Sequence, residues 1–383
     1  MFATEGSTET FWTFDSLMRV LGLSAYPVEA AATRFRLAQF AAPLAAKGIE
    51  LEVSSFLTSA QFANLYVSGN AGKKLGSLLP SVLRRVAQIV KIREYDLLFV
   101  QREAMLFGPA IFEWLYRYGR TPMVLDLDDA TFIPYISPSY GRLGSYLKFF
   151  GKTDKLIKAS RVVTCGNRYI AEYAESLGAR TVVVPTVVNT DEFSPVPKGN
   201  TVPVIGWIGT HSTFPFLEWL FPILEKLAAK HRFVLKVVGA GKTDISLKGV
   251  EVLNLPWDLS REVQDFQSLD IGLYPLTLSD SANEQWLLGK SGFKAIQYMA
   301  VGVPFVMSPI GVARDLGEPG VTHFNASDAD DWYTHLDNLL SDSELRLRVG
   351  AAGRRCSLEN FTVERQAELL AKTFWGAISK VDV

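Results

Sequence analysis

The stretch "GKSGFKAIQYMAVGVPFV", Gly289 to Val306, reads as a helix running into a buried strand. Lys290 and Lys294 stand four positions apart at the start of that helix, a spacing that places two side chains on one helical face. Gln297 follows on nearly the same face. Two cations and an amide at the mouth of an apolar element point to an anionic ligand. Helix N-terminal amides and nearby cations together stabilise a group such as a diphosphate. Alternatively, the two lysines are ordinary solvated surface charges.

Working outward, the same strand and helix alternation repeats. Upstream lie "MRVLGLSAY", a helical "ATRFRLAQFAAPLAAKG" closed by Gly48, the alternating "IELEVSSF", and the short β-rich runs "YDLLFVQ", "MVLDLDD", "RVVTCG" and "RTVVVPT". The pattern restarts with "VPVIGWIGT", "FLEWLFPILEKLAAK", "RFVLKVVG", "VEVLNL" and "DIGLYPL". Repeated βα order implies parallel sheets covered on both faces. Between the halves, "PTVVNTDEFSPVPKGN" holds Pro185, Pro195, Pro197 and Gly199, a linker composition. The fold class is therefore α/β, with two tandem doubly wound, Rossmann-like domains facing a crevice. Residues 1–17 read as an extension, 18–190 as the first domain and 191–361 as the second. A final helix, about 362–383, is expected to cross back to the first. Ligands of such sheets bind beyond the carboxyl ends of the strands, here between the domains.

Composition narrows the function classes. With 383 residues and a net charge of −1, the chain lacks the global basic footprint of a nucleic-acid binder. Cys165 and Cys356 are too few for a disulfide framework or a zinc site, which suggests a reducing, cytoplasmic compartment. No apolar run of about 18 residues is present to span a membrane, and the first residues do not read as a signal peptide.

Other stretches carry possible chemistry. "GWIGTHSTFPFLEWL" leaves a strand and turns through Gly209, Thr210, His211, Ser212 and Thr213 into a helix. Its amides are expected either to receive phosphate oxygens or simply to be capped by Ser212 or Thr213. "GAGKT", Gly239 to Thr243, imitates a P-loop, but Lys236 occupies the place of its first glycine and no helix pattern follows. "DLDD", Asp126 to Asp129, ends a first-domain strand. Its carboxylates, Asp128 and Asp129 among them, are read as crevice-facing polar groups, with metal binding or helix capping as the alternatives. All four histidines, His211, His231, His323 and His335, fall in the second half, so the first domain supplies no catalytic histidine.

Taken together, "VVPTVVNTDEFSP", "VIGWIGT", "DIGLYPL", "GFKAIQYMAVGVPFVMSPIGV" and "DSELRLRVGAAGRR" resemble the retaining GT-B glycosyltransferases of family four, the group one glycosyltransferases, over about residues 18–375. The resemblance implies a hexosyltransferase-like enzyme with a nucleoside diphosphate sugar on the second domain and a hydroxyl acceptor on the first. It implies retention of configuration. No metal or other cofactor is expected, because helix amides and lysines already supply positive charge and "DLDD" belongs to the other domain. Lys294 would meet donor phosphate, with Lys290 beside it. The loops around Gly209 and Pro309-Ile310-Gly311-Val312 would line the donor. The family's paired glutamates fall here on Gly289 and Gln297, so Gln297 would hold the ribose and Glu284 is the expected replacement for the missing carboxylate. The usual basic pair after the second domain's first strand appears as Trp207 and Thr213. The alternatives are a GT-B epimerase or phosphorylase, or an inactive nucleotide-sugar binder. Finally, residues 73–93 carry Lys73, Lys74, Arg84, Arg85, Lys91 and Arg93 with no acid. This helix, with Leu79, Val82, Leu83, Val86, Ile89 and Val90 on one stripe, reads either as core-packed or as an interfacial helix on an anionic membrane, presenting the crevice to a lipid-linked or cell-envelope glycan precursor.

Overall fold

The computed structural model describes residues 17–65, 76–117, 120–134, 148–277 and 281–379. Lys73, Lys74 and nearly all of the N-terminal extension lie outside them. Two six-stranded sheets form. The first contains β1 (Met18–Ser24), β2 (Ile49–Ser55), β3 (Leu97–Gln101), β4 (Met123–Leu127), β5 (Val162–Cys165) and β6 (Thr181–Val183), in the order β2-β1-β3-β4-β5-β6. The second contains β7 (Val204–Ile208), β8 (Val234–Val238), β9 (Glu251–Leu255), β10 (Ile271–Tyr274), β11 (Phe305–Met307) and β12 (Phe324–Asn325), in the order β12-β11-β10-β7-β8-β9. Every strand pairing is parallel. β3 and β4 are buried at every residue, as strands covered on both faces must be. β2, at the sheet edge, instead alternates buried Ile49 and Leu51 with exposed Glu50 and Glu52.

Each sheet reverses strand order beside its first strand, at β1/β3 and at β10/β7. Chain segments leaving the carboxyl ends there are the natural ligand-facing loops. They are Arg102 after β3 and Gly209–Thr213 after β7, with Asp128 and Asp129 after β4, the strand next to β3.

Three local readings change. The helix expected over "ATRFRLAQFAAPLAAKG" is split into Ala31–Arg36, a 3₁₀ turn at Ala38–Phe40, and Ala41–Ala45. "FLEWLFPILEKLAAK" likewise divides into Phe214–Glu218 and Phe221–Ala228. Pro43 and Pro222 sit in the first turn of the second piece, where a missing amide costs no helical bond. The linker, finally, is not a free tether. Val184, Val187, Val188 and Phe193 are buried, and Arg354 donates to the Thr190 and Phe193 carbonyls at 2.9 Å. The last helix, Val363–Ile378, packs on β3 and β4, with Phe374 against Phe99 at 4.9 Å between ring centroids.

The basic helix also differs from expectation. Over Leu79–Lys91 it turns Ser81 and Arg85 into the protein and leaves Leu79, Leu83, Val86 and Val90 exposed, Val90 at 81%. Arg85 is fully buried and donates to the carbonyls of Ser24, Ser54 and Ala104. Arg84 reaches the carbonyls of Ser55 and Phe56. Both arginines therefore tie the helix to the sheet and do not form a solvated basic face. Carbonyls at the carboxyl ends of β1 and β2 recruit them; Val82 and Ile89 pack half-buried on the core, and the other four apolar residues point outward.

Candidate functional site

The helix of the decisive stretch runs from Phe293 to Ala300, with Gly292 at its N-cap in the left-handed region (φ 64°). Lys290 therefore precedes the helix, and helical spacing does not bring it onto one face with Lys294. A Cβ at 292 would come within 2.2 Å of Val312, so the close approach of the 310–312 loop requires glycine.

The two lysines have different partners. Lys290 Nζ lies 3.4 Å from the centroid of the Trp286 ring and 3.5 Å from Asp129 Oδ2, across the crevice. Burial pulls its pKa down, with Asp129 opposing. Lys294 Nζ lies 5.9 Å from the Phe266 ring. Burial lowers its pKa to about 8, partly offset by the charge of Glu262. Glu262 is itself held by Arg34 of the first domain at 2.6 Å. Its carboxyl is raised by burial despite Arg34 and Lys294. A cation whose charge is poorly solvated is primed for an arriving anion.

Opposite stands a first-domain cluster. Arg102 grips Asp128 in a fork, at 2.5 and 2.7 Å, while Gln101 Nε2 donates to the same carboxylate at 3.0 Å. Burial alone would raise the Asp128 carboxyl, but Arg102 more than offsets this and holds it below the usual range. Arg102 has φ 59°, unusual for a residue with a Cβ. Its amide bonds the Asp126 carbonyl at 2.8 Å, which helps fix that strained conformation at the mouth of the site. Asp126 is sequestered below by Arg36, at 2.5 and 2.9 Å, and by Thr164 at 2.7 Å. Asp129 is different: Oδ2 faces Lys290 and, at 3.9 Å, Arg102, while Oδ1 is buried without a hydrogen-bond partner. It is the carboxylate oxygen with acceptor capacity left for a hydroxyl.

The remaining predicted residues are placed less uniformly. Of the 209–213 loop, the amides of Gly209 and Thr210 are already engaged by Val238 O and Thr213 Oγ1, and Thr210 Oγ1 pairs with Ser212 Oγ at 2.9 Å. Thr213 stands at the N-cap of Phe214–Glu218, but its hydroxyl bonds back to Thr210 and makes no capping bond to the helix. Thr210, His211 and Ser212 are exposed. Gly311 has φ 61°, and a Cβ there would meet Leu288 O at 2.8 Å, so the 310–312 loop packs directly on the Leu288–Lys290 segment. Ile310 is half-buried and Val312 buried. Glu284 is exposed; burial, with the charge of Glu284 adding to it, raises the Tyr169 hydroxyl of the first domain. The carboxylate that reaches Lys290 is Asp129. Gln297 is fully buried, without a hydrogen bond of ordinary geometry at either amide atom, close to Glu262. It is not presented to the crevice.

Sequence reading missed Arg102, Asn167, and the Arg34–Glu262 pair. Arg102 alone had a usable signal, as a charged residue directly after the buried strand "YDLLFVQ". The other three meet partners over 100 positions away. Among the described residues, no group of three or more His, Cys, Asp or Glu stands where it would hold a metal ion.

Two parallel doubly wound domains whose strand ends face a polar crevice define the GT-B architecture. Residues 202–342 match the family model described as glycosyl transferases group 1. No curated protein matches the chain. Among solved structures, a glycosyltransferase from Rickettsia africae ESF-5 superposes with a TM-score of 0.67 at 14% identity, covering 96% of this chain and 100% of that one. Anabaena Alr3699/HepE in complex with UDP-glucose superposes with 0.65 at 16% identity, over 94% and 100%. The lipopolysaccharide outer core galactosyltransferase WaaB gives 0.57 at 14% identity, over 93% and 99%. The fold is thus that of GT-B glycosyltransferases, and the second domain carries the group 1 sequence pattern.

Proposed function

We propose that the protein transfers a sugar from a nucleoside diphosphate sugar to a hydroxyl acceptor, with retention of configuration. The observation that carries this reading is Lys290, a second-domain cation in contact with a first-domain carboxylate across the crevice. A donor diphosphate would take Asp129's place at Lys290 and draw on Lys294, so that charge developing on the leaving group meets fixed cations. Asp128, its charge held by Arg102, would keep that guanidinium in place. Asp129, released from Lys290, would turn Oδ1 to a sugar or acceptor hydroxyl. Leaving-group departure and hydroxyl attack on the same face require no protein nucleophile, and closure of the domains excludes the water that would hydrolyse the donor.

The HepE complexes with UDP and UDP-glucose make uridine nucleotides the first ligands to try. A thermal-shift screen against nucleoside diphosphates and their sugars tests the reading, because a ligand of the native state raises the melting temperature. If none does so, the reading fails.

A lipid-linked acceptor is supported by one further observation, the outward stripe Leu79, Leu83, Val86 and Val90. Lys91 and Arg93, both exposed, stand at its C-terminal end. An apolar stripe with cations at its edge suits the surface of an anionic bilayer. Co-sedimentation with phosphatidylglycerol vesicles should be lost in Leu83→Glu/Val90→Glu. Wild-type protein left in the supernatant at low salt would instead favour a soluble acceptor. No helix among the described residues is long and apolar enough to cross a membrane.

A further inference from the structure

Asn167 belongs to the first domain, yet its side chain serves both. It follows β5 and caps the helix Arg168–Ser176, with Oδ1 accepting from the Ile170 amide at 2.9 Å. Its Nδ2 donates to two carbonyls of the second domain, Leu288 O at 3.1 Å and Lys290 O at 2.9 Å. Both amide hydrogens and the amide oxygen are thus used, and the residue is 3% exposed. Asp or Ser caps a helix as well as Asn does. Only the amide also offers two donors to carbonyl oxygens, so the second-domain contacts are what the choice of Asn adds.

The surroundings leave the held segment little room. A Cβ at Gly289 would lie 2.2 Å from the Ala130 Cβ, so the loop after β4 sits where any side chain at 289 would project. On the other side, Leu288 O abuts Gly311 of the 310–312 loop. The Leu288–Lys290 segment is therefore wedged between the two domains and fastened by one side chain, with Lys290 Nζ reaching Asp129 beyond it.

We propose that Asn167 is a positioning residue: it staples the Leu288–Lys290 segment to the first domain, so that Lys290 takes its working place only when the two domains are closed. This rests on the donor role given to Lys290 above. The staple makes closure and assembly of the diphosphate site a single event. An open molecule would hold a nucleotide without breaking the bond to the sugar.

Asn167→Ser and Asn167→Asp test the staple, since both keep a cap and neither can donate to the two carbonyls. The assays use UDP as the binding probe and follow hydrolysis of whichever sugar nucleotide the wild type turns over, among UDP-glucose, UDP-galactose, UDP-N-acetylglucosamine and GDP-mannose. In both variants kcat should fall by about 100-fold, the order that an ångström of misplacement costs, while KM and the Kd for UDP stay within about fivefold. Small-angle scattering with UDP present should give a larger radius of gyration for the variants than for the wild type. A kcat within about twofold of wild type in both variants overturns the proposal. So does a parallel loss of melting temperature, UDP affinity and kcat without a change in radius, which would mark a helix cap and nothing more. Wild-type protein that is stabilised by no nucleoside diphosphate or sugar nucleotide in the thermal-shift screen and hydrolyses none of the four donors refutes the donor reading itself, and the scattering comparison then still decides whether Asn167 holds the domains together.

Discussion

Raising the pH through 8 should loosen the hold on a nucleoside diphosphate, and Lys294 should be the cause. Burial takes the pKa of this lysine from the ordinary 10.5 to about 8, against the pull of Glu262. A group with a pKa of about 8 is roughly 90% protonated at pH 7 and 10% at pH 9. If the diphosphate binds only the charged form, the Kd for UDP should rise about tenfold between those values, or about 1.4 kcal/mol. The ligand's own terminal phosphate, with a pKa of about 6, is ionised throughout this window. Titration calorimetry at pH 8 in buffers of different ionisation enthalpy should show proton uptake on binding, because the anion raises the depressed pKa.

Stability should move the other way. Between about 8 and 10.5 the unfolded chain holds a proton on this lysine that the native protein has lost, so unfolding free energy rises with pH across that window. The full span corresponds to roughly 3 kcal/mol at about 1.4 kcal/mol per pKa unit, an upper figure before solvent screening reduces it. Lys294→Ala should flatten both profiles. A UDP affinity that is constant from pH 7 to 9, or a pH dependence undiminished in Lys294→Ala, would refute the reasoning.

Other perturbations separate the site from the scaffold. Lys290→Ala should lower kcat/KM by about 10²-fold, roughly 3 kcal/mol of lost transition-state stabilisation, with little change in melting temperature. Near-wild-type turnover would return Lys290 to the role of an interdomain contact. Turnover should survive EDTA, because Asp126 and Asp128 are already bound by Arg36 and Arg102; loss of activity restored by Mg²⁺ would reverse that assignment. Arg85→Ala should cost about 3–5 kcal/mol in urea unfolding, since it strands the buried carbonyls of Ser24, Ser54 and Ala104. A change under 1 kcal/mol would mean that water takes over those bonds.

The architecture was legible in the sequence because its signals are local. Buried parallel strands must be short, continuous apolar runs, and "YDLLFV", "VIGWI" and "DIGLY" announce them without reference to any partner. The decisive stretch reads as helix then strand, and both elements form, at Phe293–Ala300 and Phe305–Met307. Their surroundings were not legible. Helical spacing suggested one shared face, yet a left-handed Gly292 places Lys290 ahead of the helix. Apolar periodicity over 79–90 was equally clear, but a stripe does not say which way it faces. Here Arg85 finds three strand-end and loop carbonyls inside, and Leu79, Leu83, Val86 and Val90 turn outward. Likewise "DLDD" reads as three like carboxylates around one leucine. The tertiary structure alone divides it into Asp126 locked under Arg36, Asp128 locked under Arg102, and Asp129 with one oxygen left to give. Periodicity reports what a residue's neighbours along the chain need. Which carboxylate stays available depends on cations that arrive from 26 to 161 positions away, and only the folded chain brings them together.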